Sequence, residues 1–403
     1  MTTSQRLGVG LISVGWMGKV HTRAYQALPV FYPELGIKPE LVIAADPVPD
    51  RQDYARDVLG FAEATGDYHE VLARTDVDVV SICAPNFLHA EIGIAAAKAG
   101  KSFWIEKPVG RHAADTESVE AAVLESDVTT SIGFNYRHAP ALEYAKQIIA
   151  SGELGRITNF RGTFFADYSS DPRGALSWRF IKEMAGSGVS GDLVGHLVDL
   201  VHYILGPIDR VSAATSTVHP QRPIPAPGGG THFDLVEGGE LGDVENEDYV
   251  AMLVQLRTDA VASGALGTLE ASRVTVGKRA SYDLEIYGTN GSLKWDFERL
   301  NELELAIGGD PVRVGYQRIM AGPSFGDFGH FQPGAGTSMG FDDLKIIEAK
   351  KFVQSYLGRE HLNSNIHDAV AASRVVDAAL ASAEDERWHK VAPVSGSTAA
   401  VTK

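Results

Sequence analysis

An apolar run at residues 7–14 passes directly into Gly15-Trp16-Met17-Gly18 and then into an apolar-periodic stretch at 19–28. Strand, glycine turn and helix, in that order, restrict this chain more than any other feature. A fully apolar strand is buried on both faces, so it needs neighbouring strands and helices to cover it. Glycines at the turn let the backbone approach a pyrophosphate at the helix N-terminus, where unpaired N–H groups point outward. The usual dinucleotide spacing would place its first glycine at position 13, and this chain has Ser13 there.

Strands and helices then keep alternating. An apolar strand at 41–45 ends in Asp46, the position expected to hold a ribose hydroxyl pair and to repel a 2'-phosphate, which favours NAD over NADP. The competing reading of Asp46 is a turn former before Pro47. A strand at 77–83 is followed by Ala84-Pro85-Asn86 and by a helix from His89 to 99 with Gly100 at its end. Asn86 and His89 either contact a nicotinamide or only shape a turn and a helix start. Cys83 lies within an apolar run, where it packs rather than reacts. Next comes Ser102-Phe103-Trp104-Ile105-Glu106-Lys107-Pro108, a short buried strand stopped by a residue that cannot donate to a ladder. Lys107 thus sits at a strand's carboxyl end, the edge where open α/β sheets bind ligands. A helix at 113–125 and a strand at 128–134 close a doubly wound parallel sheet over residues 1–134.

From Asn135-Tyr136-Arg137 onward the rhythm changes to longer strands at 157–166, 250–256, 262–271, 282–287 and 293–296. Short turns between several of them predict mainly antiparallel pairing in a second α/β domain over 135–391. The Pro- and Gly-rich stretches 220–242 and 308–340 read as irregular loops that either cover a site or only connect elements. A helix follows at 341–356, and the small, polar residues 392–403 read as a flexible tail. The formal net charge of -16 opposes nucleic acid and anionic membrane surfaces as partners. A single cysteine fits a reducing compartment, and the first residues lack the apolar core of a signal peptide, so the expected location is the cytoplasm.

The segment 191–206 reads as a buried helix whose one polar stripe holds Asp192, His196, Asp199 and Tyr203. Leaving such groups unpaired inside a protein costs roughly 2–7 kcal/mol each, so the stripe faces partners or a wet cavity. Asp199 and Tyr203 are read as an internal network. Asp192 and His196 are read as chemistry: oxidation of an alcohol needs a base near neutrality, which imidazole supplies, and a carboxylate one turn away fixes its tautomer. Lys107 would then stabilise a developing alkoxide.

Taken together and in order, the glycine turn, Ala84-Pro85-Asn86 with His89, Glu106-Lys107-Pro108, and Gly191-Asp192 with His196 resemble the glucose-fructose oxidoreductase and inositol dehydrogenase (Gfo/Idh/MocA) family. The resemblance covers nearly the whole chain. It implies an N-terminal Rossmann domain and a C-terminal α/β domain with a large open sheet, mainly antiparallel, that often makes a homodimer or homotetramer. It implies NAD held by Ser13, Gly15, Trp16, Met17, Gly18, Asp46, Ala84, Pro85, Asn86, His89, Glu106, Lys107 and Asn135, with no metal. It further implies catalysis by Lys107, Asp192 and His196, and a carbohydrate bound by these three with Tyr136, Arg137, Asp167, Trp178 and Arg179. The stretch from Asp167 to Phe180 is similar to family members that oxidise the 3-hydroxyl of sugars. Other members are glycosidases that oxidise, eliminate, hydrate and re-reduce on one bound NAD. Arg173, Arg179 and Lys182 add positive charge, which either suits an anionic sugar or forms a solvated face. A non-catalytic dinucleotide sensor is the third reading, and the complete Lys-Asp-His set argues against it.

Overall fold

A computed structural model describes residues 4–226, 231, 233–310, 312–359 and 363–399. Parts of the loops at 220–242 and 308–340 and the end of the tail at 400–403 lie outside the described residues. The chain forms two compact units.

The first unit runs to Gly110, takes in Ala114–His138 and returns with Gly322–Val370. Its strands are β1 (Gln5–Ile12), β2 (Ile37–Ala45), β3 (Glu63–Thr65), β4 (Val79–Ile82), β5 (Ser102–Ile105) and β6 (Thr130–Ile132), in spatial order β3-β2-β1-β4-β5-β6. Every pair is parallel. The order reverses between β1 and β4, which places a ligand crevice at their carboxyl ends. The glycine turn feeds a helix at Trp16–Phe31, and Gly18 must stay small because a Cβ there would lie 2.2 Å from the Ser13 carbonyl oxygen. The return segment supplies the helix Phe341–Tyr356, whose Ile346, Ala349, Phe352 and Val353 complete a core with Tyr25, Leu28, Val79 and Trp104. A cut at 134/135 leaves this helix on the far side, whereas the contacts return it to the parallel sheet. Cys83 packs beside Leu11 and Val14, as an apolar residue would.

The second unit contains β7 (Ile157–Ala166), β8 (Ile208–Ser216), β9 (Gln221–Pro223), β10 (Leu241–Asp243), β11 (Tyr249–Leu256), β12 (Leu266–Ser272), β13 (Ala280–Gly288), β14 (Gly291–Asp296), β15 (Glu302–Ile307), β16 (Gln317–Met320) and β17 (His389–Lys390). Among the described residues β9 and β10 form a small ribbon, and the other nine form one open sheet in the order β16-β15-β14-β13-β7-β12-β11-β8-β17. Pairing is antiparallel except between β7 and β12 at the centre. The parallel pair follows from topology, because the chain leaves β7 through a helix and further strands before it comes back beside it.

That helix packs on the sheet through a notch: a Cβ at Gly162 of β7 would come 3.1 Å from Leu197 and 2.8 Å from Leu269. It begins as a π-helical turn at Ser190–Val194 and continues as an α-helix at Gly195–Ile204. The uninterrupted helix expected over 191–206 therefore has one wide turn, which a period of 3.6 cannot reveal and which shifts Asp192 relative to His196. The start is pinned by Glu247, whose Oε1 accepts from the backbone N–H groups of Gly188 (3.0 Å) and Ser190 (2.9 Å). A carboxylate there opposes the positive end of the helix dipole.

Candidate active site

Ser13 replaces the expected first glycine yet takes a glycine's backbone, with φ 76°. A left-handed conformation disfavours a residue with a Cβ by roughly 1–2 kcal/mol, and the ladder bond from Ser13 N–H to the Ala45 carbonyl (2.8 Å) holds it there. The departure in residue type leaves the turn intact. Gly15 caps the helix in extended backbone, and no acidic side chain occupies the first turn, so Trp16 and Met17 open a helix end suited to an anion. Trp16 itself is 66% exposed and stacks on Phe341 at 5.7 Å.

Asp46 is buried, and both its oxygens accept backbone N–H groups: Oδ2 from Val14 (2.9 Å) and Oδ1 from Val48 (3.0 Å). The residue shapes its own turn and also ties the end of β2 to the glycine turn. Arg51 lies 3.6 Å from Oδ2.

Asn86 opens the helix Asn86–Lys98 directly after Ala84-Pro85. His89, one turn in, is buried, with Nδ1 2.7 Å from the Pro108 carbonyl oxygen and Nε2 2.6 Å from that of Ala84. It braces the loop after β4 against the loop after β5, which carries Lys107. Burial lowers its pKa although both carbonyls favour the protonated ring.

Glu106 is the centre of a buried network that the sequence did not disclose. Its Oε1 accepts from Lys345 Nζ (2.5 Å) and lies 2.9 Å from His21 Nε2, while Lys345 also donates to Glu348 (2.8 Å). His21 stacks on Trp104 at 3.4 Å, and its other nitrogen meets Ser81 at 3.1 Å. Burial pushes His21 down to about 4 and outweighs the pull of Glu106, so the ring is neutral. Lys345 holds Glu106 well below the usual carboxylate range against the opposing effect of burial. Asn135 is buried, and among the described residues its Nδ2 has no partner. An orphan donor, a glycine-like turn and an unblocked helix end all fit a dinucleotide.

Tyr136 is nearly buried, with its ring edge toward Phe341, and Arg137 is buried 3.5 Å from Asp368. In the second unit Asp167 pairs with Arg279 (2.6 Å), and the Arg179 guanidinium stacks on Trp178 at 4.2 Å. Arg173 is held by Asp171 (2.7 Å) and Glu237 (2.8 Å), so its charge is already balanced. Asp192 accepts a hydrogen bond from the Tyr168 hydroxyl at 2.6 Å. His196 is 7% exposed; its carbonyl accepts from the Tyr282 hydroxyl (2.7 Å), and its ring lies 6.1 Å from Phe164. Farther along the stripe, Asp199 is buried and Tyr203 receives Lys146 over its ring at 3.4 Å.

The fold and these residues define a dinucleotide-dependent oxidoreductase. Residues 7–134 match the model of the Gfo/Idh/MocA oxidoreductase family with NAD-binding Rossmann fold, and residues 142–294 match its C-terminal domain. The chain belongs to the Gfo/Idh/MocA family, and its cofactor is NAD. It is 36% identical over 394 residues to the levoglucosan dehydrogenase of Pseudarthrobacter phenanthrenivorans, covering 97% of this chain and 100% of that one. Inositol 2-dehydrogenase of Rhizobium meliloti is 25% identical over 387 residues, 95% of this chain and 98% of the relative. The solved levoglucosan dehydrogenase in complex with NADH and levoglucosan superposes with a TM-score of 0.88 at 35% identity, covering 96% of this chain and 100% of that chain.

Proposed function

We propose that the chain oxidises a secondary hydroxyl, at C3, of a sugar, anhydrosugar or cyclitol with transfer of hydride to NAD. The observation that carries this reading is the Asp192 and His196 pair on a buried helix whose start is pinned by Glu247 and whose Asp192 is held by Tyr168. A protein that only senses a dinucleotide has no use for an anchored carboxylate and an imidazole on one buried helix. His196 takes the hydroxyl proton at a ring nitrogen, and Asp192 fixes the tautomer and favours the imidazolium that forms. Lys107, at the carboxyl end of β5, stabilises the oxygen as it becomes an alkoxide. NAD supplies the hydride acceptor. The names of the relatives, levoglucosan dehydrogenase and inositol 2-dehydrogenase, support this substrate class.

The test is purified protein with excess NAD and, in turn, levoglucosan, myo-inositol and free hexoses, followed by absorbance of NADH. NADH should accumulate in step with oxidised sugar. His196→Ala should lower kcat by about two to four decades, the range of a positioned general base, with NAD affinity unchanged. Cleavage of an aryl glycoside on catalytic NAD without lasting NADH would replace the dehydrogenase with an NAD-retaining glycosidase. Near-normal turnover of His196→Ala would move the base to Lys107 or Tyr136.

A further inference from the structure

We infer that Tyr168 is a positioning residue for this reaction: its hydroxyl fixes the Asp192 carboxylate on the wide turn that precedes His196. The inference rests on the dehydrogenase reading and adds to it a residue from outside the helix. At 2.6 Å the Tyr168 to Asp192 bond lies in the short range of charge-assisted O–H···O⁻ bonds. Asp192 needs such an anchor because of where it sits. The π-helical turn at Ser190–Val194 departs from the regular spacing of side chains on the α-helix that follows, and wide turns of this kind recur at functional sites.

Tyr168 is itself held on both sides. It follows Asp167 just past the end of β7, and the next residue, Ser169, donates its N–H to the Arg273 carbonyl (2.9 Å). Arg222, fully buried, donates to the carbonyls of Ser169 and Asp171, the latter at 2.8 Å. The guanidinium groups of Arg222 and Arg273 lie over the Phe180 ring at 4.4 and 4.5 Å. Phe233 meets the Tyr168 ring edge-on at 6.4 Å. The phenol therefore reaches Asp192 from a loop whose backbone is fastened by buried arginines. The charged groups that face it are Asp192, Arg179 and Arg273, and Arg273 is balanced by Asp248 at 2.8 Å. Burial and then Asp192 push the phenol upward, so it donates at every working pH and does not compete with His196 as a base.

Removing the hydroxyl should act through Asp192. In Tyr168→Phe the ring still packs while the carboxylate loses a donor, so its affinity for a proton rises. Once protonated, Asp192 no longer favours the imidazolium of His196. The acid limb of the kcat/KM profile should move up by about one to two pH units, the size of one lost hydrogen bond to a charged group. KM for NAD should stay as in the wild type. In an Asp192→Asn background the same change should be silent.

The experiment is the pH profile of wild type, Tyr168→Phe, Asp192→Asn and the double variant, with circular dichroism to verify folding. A shifted acid limb together with a silent second mutation supports the inference. An unshifted profile in Tyr168→Phe beside an impaired Asp192→Asn overturns it and leaves the dehydrogenase reading standing. A further loss in the double variant also overturns it, because Tyr168 would then act on the substrate directly. Full activity in Asp192→Asn would remove the reading itself and the inference with it.

Discussion

Replacing Lys345 by Met puts the buried network of the first unit to a quantitative test. Lys345 is fully buried, with Glu106 at 2.5 Å and Glu348 at 2.8 Å, and with its ammonium 5.3 Å from the centre of the Trp104 ring. Because His21 is neutral, Lys345 and the two glutamates carry one positive and two negative charges, and the substitution takes this cation from both carboxylates. Removing one partner of a buried pair costs about 3–5 kcal/mol. Protonation limits the penalty of each carboxyl: a glutamate with an ordinary value of 4.5 is neutralised at pH 7 for about 3.4 kcal/mol, at 1.36 kcal/mol per unit, so two carboxyls leave room for the whole of that range. A loss of about 3–5 kcal/mol at pH 7 is therefore expected, measured by urea unfolding with tryptophan fluorescence. The sign of the pH dependence is fixed as well. In the wild type the depressed Glu106 contributes stability that is present above 4.5 and is lost as pH falls below it. In Lys345→Met the carboxyls are raised, so their penalty is greatest at high pH. The second effect narrows the gap between the two proteins as pH falls from 7 toward 4.5, and the first narrows it further below 4.5. A gap under about 1 kcal/mol at pH 7, or one that widens in acid, would refute the reasoning. Adding Glu106→Gln and Glu348→Gln should recover much of the loss, because neutral groups do not need the cation.

His21 is neutral in the folded protein down to about 4 and ordinarily titrates at 6.5, so stability should fall as pH drops from 6.5 toward 4, by up to about 3 kcal/mol; His21→Gln should flatten that limb in a thermal melt series. Asp46→Ser should weaken NAD binding and narrow the preference for NAD over NADP, since it removes both the charge and the bonds to Val14 and Val48; a wild type that prefers NADP in a titration would show that Asp46 does not set the choice. Gly133→Ala would place a Cβ 2.5 Å from the Glu106 carboxylate, which Lys345 and His21 prevent from moving, and a loss of about 1–3 kcal/mol should appear in the same unfolding assay.

Where the chain was legible, the cause was local. The glycine turn, the abrupt end of β5 ahead of Pro108 and the alternation of strand and helix are decided by neighbouring residues, so the parallel sheet could be read in order. Even Ser13 obeyed its position rather than its side chain. Antiparallel pairing followed in the same way from short turns, while the parallel β7 and β12 pair did not, because its connection is long. The polar residues that matter to the site were half legible for a different reason. A buried Asp, Glu or Lys is tolerated only beside a partner, and in this protein the partners come from elsewhere. Lys345 is 239 residues from Glu106, and Tyr168 is 24 from Asp192 and on another element. A lysine in a helix reads as surface, since lysines are almost never fully buried unless paired. The one available signal was that Lys345 and Glu348 share a stripe with Leu344, Ala349 and Phe352, all buried. An ionisable pair on an apolar stripe predicts a third charged group across the core, and Glu106-Lys107, directly after the short strand β5, was the place to look for it. That makes the two halves of this motif differ in kind. Glu106 is bound to the scaffold from within the first unit, whereas the role proposed for Lys107, the next residue along, is to stabilise the alkoxide.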